Sequence, residues 1–176
     1  MISANLVRQL TLRDHGPLAA ASGLVRSHNW LHVIADDSLD LATFSLVETE
    51  VGEPGQLHRL FPDPSLPLAA KERKKLKPDL ESLGLVPFQG GQALLSLGSG
   101  SSPLRQRAFL QPLFPCGEVD GRPLIFDLGP LYTSLPFREL NIEGLAASGS
   151  SLYLGQRGNS QEGINALVRL DLKRAI

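Results

Sequence analysis

Five acidic side chains lie beside short apolar runs and are the groups in this sequence best suited to chemistry: Asp36, Asp37, Asp79, Glu81 and Glu143. Carboxylates that converge repel one another unless they are protonated, paired with a base or bridged by a cation. Hard oxygen ligands of this kind suit Ca²⁺ or Mg²⁺ better than zinc. Four of the five are therefore candidate metal ligands, with Ca²⁺ as the candidate cofactor: Asp36, Asp79, Glu81 and Glu143.

Arginines and small polar residues near these carboxylates offer two alternatives to a metal. Arg105 and Arg157 could bind the carboxylate or phosphate of an anionic ligand at two points. They could instead pair with the protein's own carboxylates and lock neighbouring structural units together, which is a purely structural role. The full set of candidate ligand-binding residues is Ser22, Asp36, Asp37, Asp79, Glu81, Ser99, Ser101, Arg105, Asn141, Glu143, Arg157 and Asn159.

Several well-known catalytic and binding motifs are missing. Ser22 lies in Ala-Ser-Gly, which is not the Gly-x-Ser-x-Gly elbow of serine hydrolases. The Gly-Ser-Gly-Ser segment at residues 98–101 could offer backbone amides to an anion, but it lacks the Gly-Lys-Ser/Thr ending of a P-loop, and a tight turn also explains its glycines. Cys116 is the only cysteine, which excludes an intrachain disulfide or a cysteine-built zinc site.

Composition and charge limit the classes of partner. The 17 basic residues nearly balance the 18 acidic ones, so no basic field favours nucleic acid or an anionic membrane. No stretch approaches the ~18 apolar residues of a membrane span, and the first residues do not read as a secretion signal. The sequence predicts a soluble, cytoplasmic protein without a nucleic-acid or membrane partner.

Three similar stretches must position the candidate residues. Each has a short apolar strand, a turn, a second apolar strand, a polar loop and a third strand, over residues of about 20–61, 80–128 and 140–172. Aligning Leu24, Leu83 and Leu145 gives spacings of 59 and 62 residues. A period near 60 with three or four strands predicts an all-β fold of the β-propeller type, with three blade-like repeats in one domain over residues 1–176.

Two segments lie outside the repeats. Residues 6–12 alternate apolar and polar side chains and predict an opening strand. Residues 65–76 begin with a cap-like Ser65 and end before Pro78, and they predict one short helix between the first two repeats. Its basic side chains are interpreted as a solvated helix face.

In a propeller the loop before the first strand and the loop between the second and third strands open on one face of each blade. The candidate residues other than Arg105, which is assigned to a third strand, fall in these two places, so they are expected to share one rim of the central channel. Propellers usually have at least four blades. Three repeats therefore predict either a partial chain or self-association of two copies to complete the ring.

The repeats resemble an uncharacterised bacterial family of β-propellers related to the "esterase-like activity of phytase" group. The resemblance rests on Ser-Gly-Leu at 22–24 with Ala-Asp-Asp-Ser at 35–38, and on Lys-Pro-Asp-Leu-Glu-Ser-Leu at 77–83. It extends to Leu-Gly-Ser-Gly-Ser at 97–101 with Arg105, and to Asn-Ile-Glu-Gly-Leu at 141–145 with Gln-Arg-Gly-Asn at 156–159. It implies a propeller fold but no established reaction.

Two classes of function follow from the sequence. A binding propeller would use the rim to hold a small anionic or sugar-like ligand, or a partner. The alternative is a calcium-dependent, phytase-like phosphoester hydrolase, in which Ca²⁺ on the carboxylates orients phosphate and activates water.

Overall fold

The chain folds mainly into antiparallel strands that follow one another in sequence. The computed structural model describes residues 4, 6, 8–47, 53–158 and 163–172. A short pair comes first, formed by β1 (Thr11–Leu12) and β2 (Gly16–Pro17). The next four strands make a meander, unit 1, in which each strand pairs with its predecessor: β3 (Ala21–Ser27), β4 (Trp30–Ala35), β5 (Asp40–Ser45) and β6 (Gln56–Arg59).

Two further meanders follow, each after a short helix. Helix α1 (Ala70–Leu76) leads into unit 2, which has a 3₁₀ turn at Pro103–Arg105 and four strands: β7 (Leu80–Phe88), β8 (Gly91–Gly98), β9 (Arg107–Leu113) and β10 (Leu124–Asp127). Helix α2 (Gly129–Ser134) leads into unit 3, which has three strands: β11 (Ile142–Ser148), β12 (Ser151–Gln156) and β13 (Ala166–Asp171).

The three units stack face to face in chain order. Successive side chains of a strand point to opposite faces of its sheet. Leu94 of β8 accordingly packs with Ile34 and Leu41 in the core between units 1 and 2. Its neighbour Leu95 packs with Leu152 and Leu154 in the core between units 2 and 3. Strand β7 contacts both β3 and β11, so the first strands of the units lie side by side.

The predicted all-β class is confirmed, and each predicted repeat contains an antiparallel meander. The opening strand is shorter than predicted, since within the described part of residues 6–12 the strand covers only Thr11–Leu12. It nevertheless lies on unit 1, because Leu12 bridges to Gly55 beside β6 and packs near Phe44.

The predicted helix exists between units 1 and 2, but it begins at Ala70 and has no side-chain cap. The cap-like Ser65 lies outside it, because Leu66 packs against the core between units 1 and 2 and belongs to the connection before the helix. No helix in the described part of the chain is long and apolar enough to cross a membrane.

The sequence prediction missed helix α2. This six-residue helix is rich in weak helix formers and has little propensity of its own. Two contacts hold it in place. The Gly129 amide donates to Asp127 Oδ1 (2.8 Å), and the buried Tyr132 hydroxyl donates to the carbonyl oxygen of Gly98 (2.8 Å).

Candidate functional site

The first strand of every unit begins with the same irregularity. The pairing register shifts between Ala21 and Gly23 in β3, between Leu80 and Ser82 in β7, and between Ile142 and Gly144 in β11. A bulge of this kind adds one residue to a strand and redirects its side chain. Ser22, Glu81 and Glu143 are the residues at the three bulges and therefore occupy equivalent positions.

A repeated backbone hydrogen bond fixes the loops that face these bulges. The amide of Asp36 donates to Ala20 (3.1 Å), that of Ser99 to Asp79 (3.0 Å) and that of Arg157 to Asn141 (2.9 Å). In each pair the donor follows the second strand of a unit and the acceptor precedes the first. The candidate residues therefore do lie at corresponding ends of the three units, but their side chains form two separate networks.

The first network joins unit 1 to unit 2 around Asp79, which is only 6 % exposed. Lys77 Nζ lies 2.8 Å from Asp79 Oδ1 and also pairs with Asp36. On the other oxygen, Asp79 Oδ2 accepts hydrogen bonds from Arg105 (2.9 Å) and from Ser99 (2.7 Å). The buried carboxylate is thus fully compensated by two cations and a hydroxyl.

Lys77 was not among the predicted site residues, because it was assigned with the basic side chains of α1 to a solvated face. It follows the last helical residue, and its side chain is only 12 % exposed. Arg73 of α1 also faces unit 1, 3.6 Å from Asp37. The solvated-face prediction is wrong for these two residues, and Lys71, Lys74 and Lys75 are exposed as predicted.

The second network lies within unit 3. Arg157 donates to both carboxylate oxygens of Glu143 (2.8 and 2.9 Å), and the Asn141 side chain donates to the same carboxylate (2.8 Å). The Gln156 side chain accepts a hydrogen bond from the backbone amide of Asn141 (2.8 Å) and donates one to the backbone carbonyl of Glu139 (3.0 Å). These contacts hold the start of β11 against the end of β12.

Glu81 lies between the two networks without joining either. No hydrogen bond or ion pair links its carboxylate to a residue in the described ranges, although one of its oxygens lies within 4.8 Å of ligand oxygens of Asp36 and Asp79. Desolvation by burial, followed by the charges of Asp79 and Asp36, raises the pKa of Glu81 to about 7. The bulge therefore presents a carboxyl group that changes charge near neutral pH.

A polar cleft of about 630 Å³ opens between units 2 and 3 in front of Glu81. Helix α2 and the segment after it form one wall, and the starts of β7 and β11 form the other. The lining residues are Asp79, Glu81, Gly100, Ser101, Arg105, Gln106, Tyr132, Thr133, Phe137, Arg138, Glu139, Leu140, Asn141 and Glu143. The sequence analysis did not predict the wall formed by residues 132–140. The only local sequence feature that indicates a helix there is the Gly-Pro pair at the start of α2.

Half of the predicted candidate residues line this cleft: Asp79, Glu81, Ser101, Arg105, Asn141 and Glu143. The other described candidates do not line it, namely Ser22, Asp36, Asp37, Ser99 and Arg157. Ser22 Oγ instead donates to the Leu80 carbonyl of unit 2 (2.6 Å), a contact between units. Asn159 lies outside the described residues.

The candidate metal ligands are divided in the same way. Asp36, Asp79 and Glu81 each offer an oxygen within 4.8 Å of the other two, and Glu143 is not part of that group. The Lys77 ammonium already forms ion pairs with two of the three carboxylates, Asp36 and Asp79. The loop at residues 98–101 offers no anion nest, since the amides of Ser99 and Gly100 donate to the carbonyls of Asp79 and Arg105.

Comparison with known proteins identifies a family and no biochemical activity. No curated protein sequence matches the chain. Residues 17–176, which include all three units, match a family of unknown function, DUF6929. The chain belongs to this family.

Proposed function

We propose that the protein is a binding module that holds a small, hydroxyl-rich, sugar-like ligand in the cleft between units 2 and 3. The observation that carries the proposal is Glu81, a half-buried carboxyl group at the edge of the cleft with no hydrogen-bond partner in the described residues. A polar group in this position is stabilised by a ligand that supplies hydrogen bonds.

The charges around the cleft favour a ligand that donates hydrogen bonds over an anionic one. Arg105 uses its two terminal nitrogens on Asp79, Ser101 and the Lys74 carbonyl. Arg157 is held by Glu143. These two arginines, which were predicted to bind an anionic ligand, are thus already paired within the protein. The Glu81 carboxylate, in contrast, can accept hydrogen bonds from the hydroxyl groups of a ligand. Phe137, half-buried in the wall, adds an apolar surface for the face of a sugar ring.

A propeller would place this cleft beside its central channel, and we propose that the three units are successive blades. Support comes from the sequential meanders, from the adjacent first strands β3, β7 and β11, and from the bulge repeated in each unit. Each unit starts at its innermost strand in this interpretation, which directs Ser22, Glu81 and Glu143 towards one end of the channel.

Titration calorimetry with defined probes tests the binding proposal. We expect saturable binding of at least one of glucose, galactose, N-acetylglucosamine or myo-inositol, and weaker or no binding of inorganic phosphate. Glu81→Gln should weaken the binding about 10-fold or more, since a hydrogen bond to a charged group contributes roughly 1.5–3 kcal/mol. Glu72→Gln, on the exposed side of α1, serves as the matched control.

Failure of all four probes, or equal binding by wild type and Glu81→Gln, would contradict the assignment of the cleft. Binding of phosphate alone would favour an anionic ligand and reject the sugar-like one.

A calcium-dependent phosphoester hydrolase is the second candidate. It is supported by the proximity of Asp36, Asp79 and Glu81, whose oxygens lie within 4.8 Å of one another. It requires Ca²⁺ to displace Lys77 from Asp36 and Asp79, which weakens it relative to the first proposal.

A further inference from the structure

A tight loop of unit 2, none of whose residues lines the cleft, docks on the sheet of unit 1. Residues 114–120, between β9 and β10, form a turn in which the Phe114 amide donates to Glu118 (2.8 Å) and the Gly117 amide donates to Phe114 (2.8 Å). Gly117 has φ +88°, and a Cβ placed on it would lie 2.5 Å from the Ser27 carbonyl oxygen. The loop backbone therefore lies directly against the end of β3.

His32 of β4 anchors this contact. Its side chain is fully buried, and Nε2 lies 3.0 Å from the Gly117 carbonyl oxygen. Only a protonated nitrogen can donate to a carbonyl, so Nε2 carries the hydrogen in neutral His32. Nδ1 is then an acceptor, and it has no hydrogen-bond partner in the described part of the chain.

A second proton on His32 would conflict with its surroundings. Nδ1–H would be a buried donor without an acceptor, and the positive charge would be buried with it. Two other titratable groups influence this region. His58 of β6, which is hydrogen-bonded to Thr43 Oγ1 (3.0 Å), disfavours the charged form of His32. Glu118 of the loop in turn favours the charged form of His58. The nearest titratable residues in sequence are His28, in the exposed turn after Ser27, and Asp36, directly after β4.

We propose that the docking of residues 114–120 on unit 1 is a proton-operated latch, closed while His32 is neutral and released when Nδ1 takes a proton. Release would expose the ring to water and end the contact of Gly117 with Ser27. The latch joins β3 and β4 of unit 1 to the β9–β10 loop of unit 2, so its opening would loosen the packing of the two units without breaking either sheet.

The pH range follows from the state of His32 when the latch is closed. Burial lowers the pKa of His32, the bond to Gly117 opposes this shift, and His58 adds to it. In the open state the pKa returns towards the ordinary value of about 6.5. Because the open state binds the proton more readily, the latch is stable above that pH and is lost as the pH falls below it.

The chain contains its own reporter pair, since Trp30 is its only tryptophan and Cys116 its only cysteine. Trp30 pairs with Ser27 in unit 1, and exposed Cys116 lies next to Gly117 in the loop. A nitroxide on Cys116 should quench Trp30 fluorescence while the latch is closed. We expect the quenching to decrease between pH 7.5 and pH 5.5, with faster amide exchange in residues 113–120 after correction for intrinsic rates.

His32→Gln separates the latch from general acid unfolding, because glutamine can donate to Gly117 but does not titrate. It should keep the quenching constant between the two pH values, while His15→Gln, which removes an exposed histidine of the β1–β2 turn, should behave as wild type. If the wild-type loop is unchanged at pH 5.5, or if His32→Gln shows the same loss as wild type, the latch is rejected.

Histidine ring resonances of the wild type provide a measurement that does not depend on the variant folding. Because burial lowers its pKa, His32 should titrate below the ordinary histidine value of about 6.5, with Nε2 protonated at pH 7.5. A His32 whose pKa equals or exceeds that ordinary value, or that carries its proton on Nδ1, would also overturn the proposal.

Discussion

The ammonium of Lys77 lies 2.8 Å from a carboxylate oxygen of Asp79, and this pair belongs to the polar network that joins units 1 and 2. Lys77 also reaches Asp36 on the neighbouring unit. A carboxylate this deeply buried is stable only with its partners, because its desolvation must be offset by ion pairs and hydrogen bonds. The arrangement makes the ends of the two units interdependent.

Replacing this buried carboxylate should destabilise the protein strongly. Asp79→Asn keeps a residue that tolerates the local φ of +56°, but it leaves Lys77 and Arg105 without their common partner. We expect the free energy of unfolding to fall by about 3 kcal/mol in urea denaturation. Asp37→Asn, which removes a more exposed 3.6 Å pair with Arg73, should cost less than about 1 kcal/mol. Equal losses in the two variants would contradict the central role of Asp79.

The pH dependence of stability should report Glu81. Its pKa is raised from the ordinary 4.5 to about 7, so the folded state binds the proton more tightly than the unfolded state. The associated stability is present below pH 4.5 and is lost as the pH rises to about 7. After allowance for the solvent exposure of this half-buried group, the loss should be about 1 kcal/mol.

Glu81→Gln should remove this dependence and be more stable than wild type at pH 8. Denaturation curves at pH 5, 6, 7 and 8 provide the measurement, with Glu72→Gln as control. A wild-type pH profile that Glu81→Gln leaves unchanged would show that Glu81 does not titrate in this range.

Calcium should have no effect on the wild-type protein if Lys77 occupies the place of a cation. We expect an unchanged melting temperature on addition of 1 mM Ca²⁺ and then of EGTA. Lys77→Met removes the ammonium but keeps Asp36, Asp79 and Glu81, so it should acquire a calcium-dependent increase in melting temperature. A calcium shift in wild type that Glu81→Ala abolishes, together with turnover of a phosphomonoester, would favour the hydrolase instead.

The position of α2 depends on a glycine that no other residue can replace without strain. Gly100 has φ +82°, and a Cβ there would lie 2.4 Å from Leu140 and 2.8 Å from the Tyr132 ring. Gly100→Ala should lower the free energy of unfolding by about 3 kcal/mol, from backbone strain and overpacking together. Gly90→Ala has a similar φ of +80° and no atom within 4 Å, so it should cost only about 1 kcal/mol. Similar losses in the two variants would exclude the contact with α2 as the cause.

Self-association is a further prediction of the propeller interpretation. Unit 3 turns one face away from unit 2, and Leu167 on that face is 71 % exposed. If two copies complete a ring, sedimentation equilibrium should detect a dimer, and Leu167→Glu should shift it towards the monomer. A wild-type monomer at all accessible concentrations would reject pairing of two copies.

Much of the local pattern was determined by the sequence. The strands could be predicted because short apolar runs alternate with turn residues, and the three bulges each lie two residues before the aligned Leu24, Leu83 and Leu145. Strand patterns of this kind reflect burial on a sheet face, which is encoded residue by residue.

Only the tertiary structure decided which polar groups meet. The sequence pattern places Lys77 on a solvated helix face, yet it pairs with Asp36, 41 residues away in sequence. Helix α2 has little propensity of its own and is held by the bond from Tyr132 to Gly98. The cleft near Glu81 and the contact of His32 with Gly117 likewise join residues from different units. Such partners depend on how the sheets stack, and the local pattern of hydrophobic and polar residues does not determine that stacking.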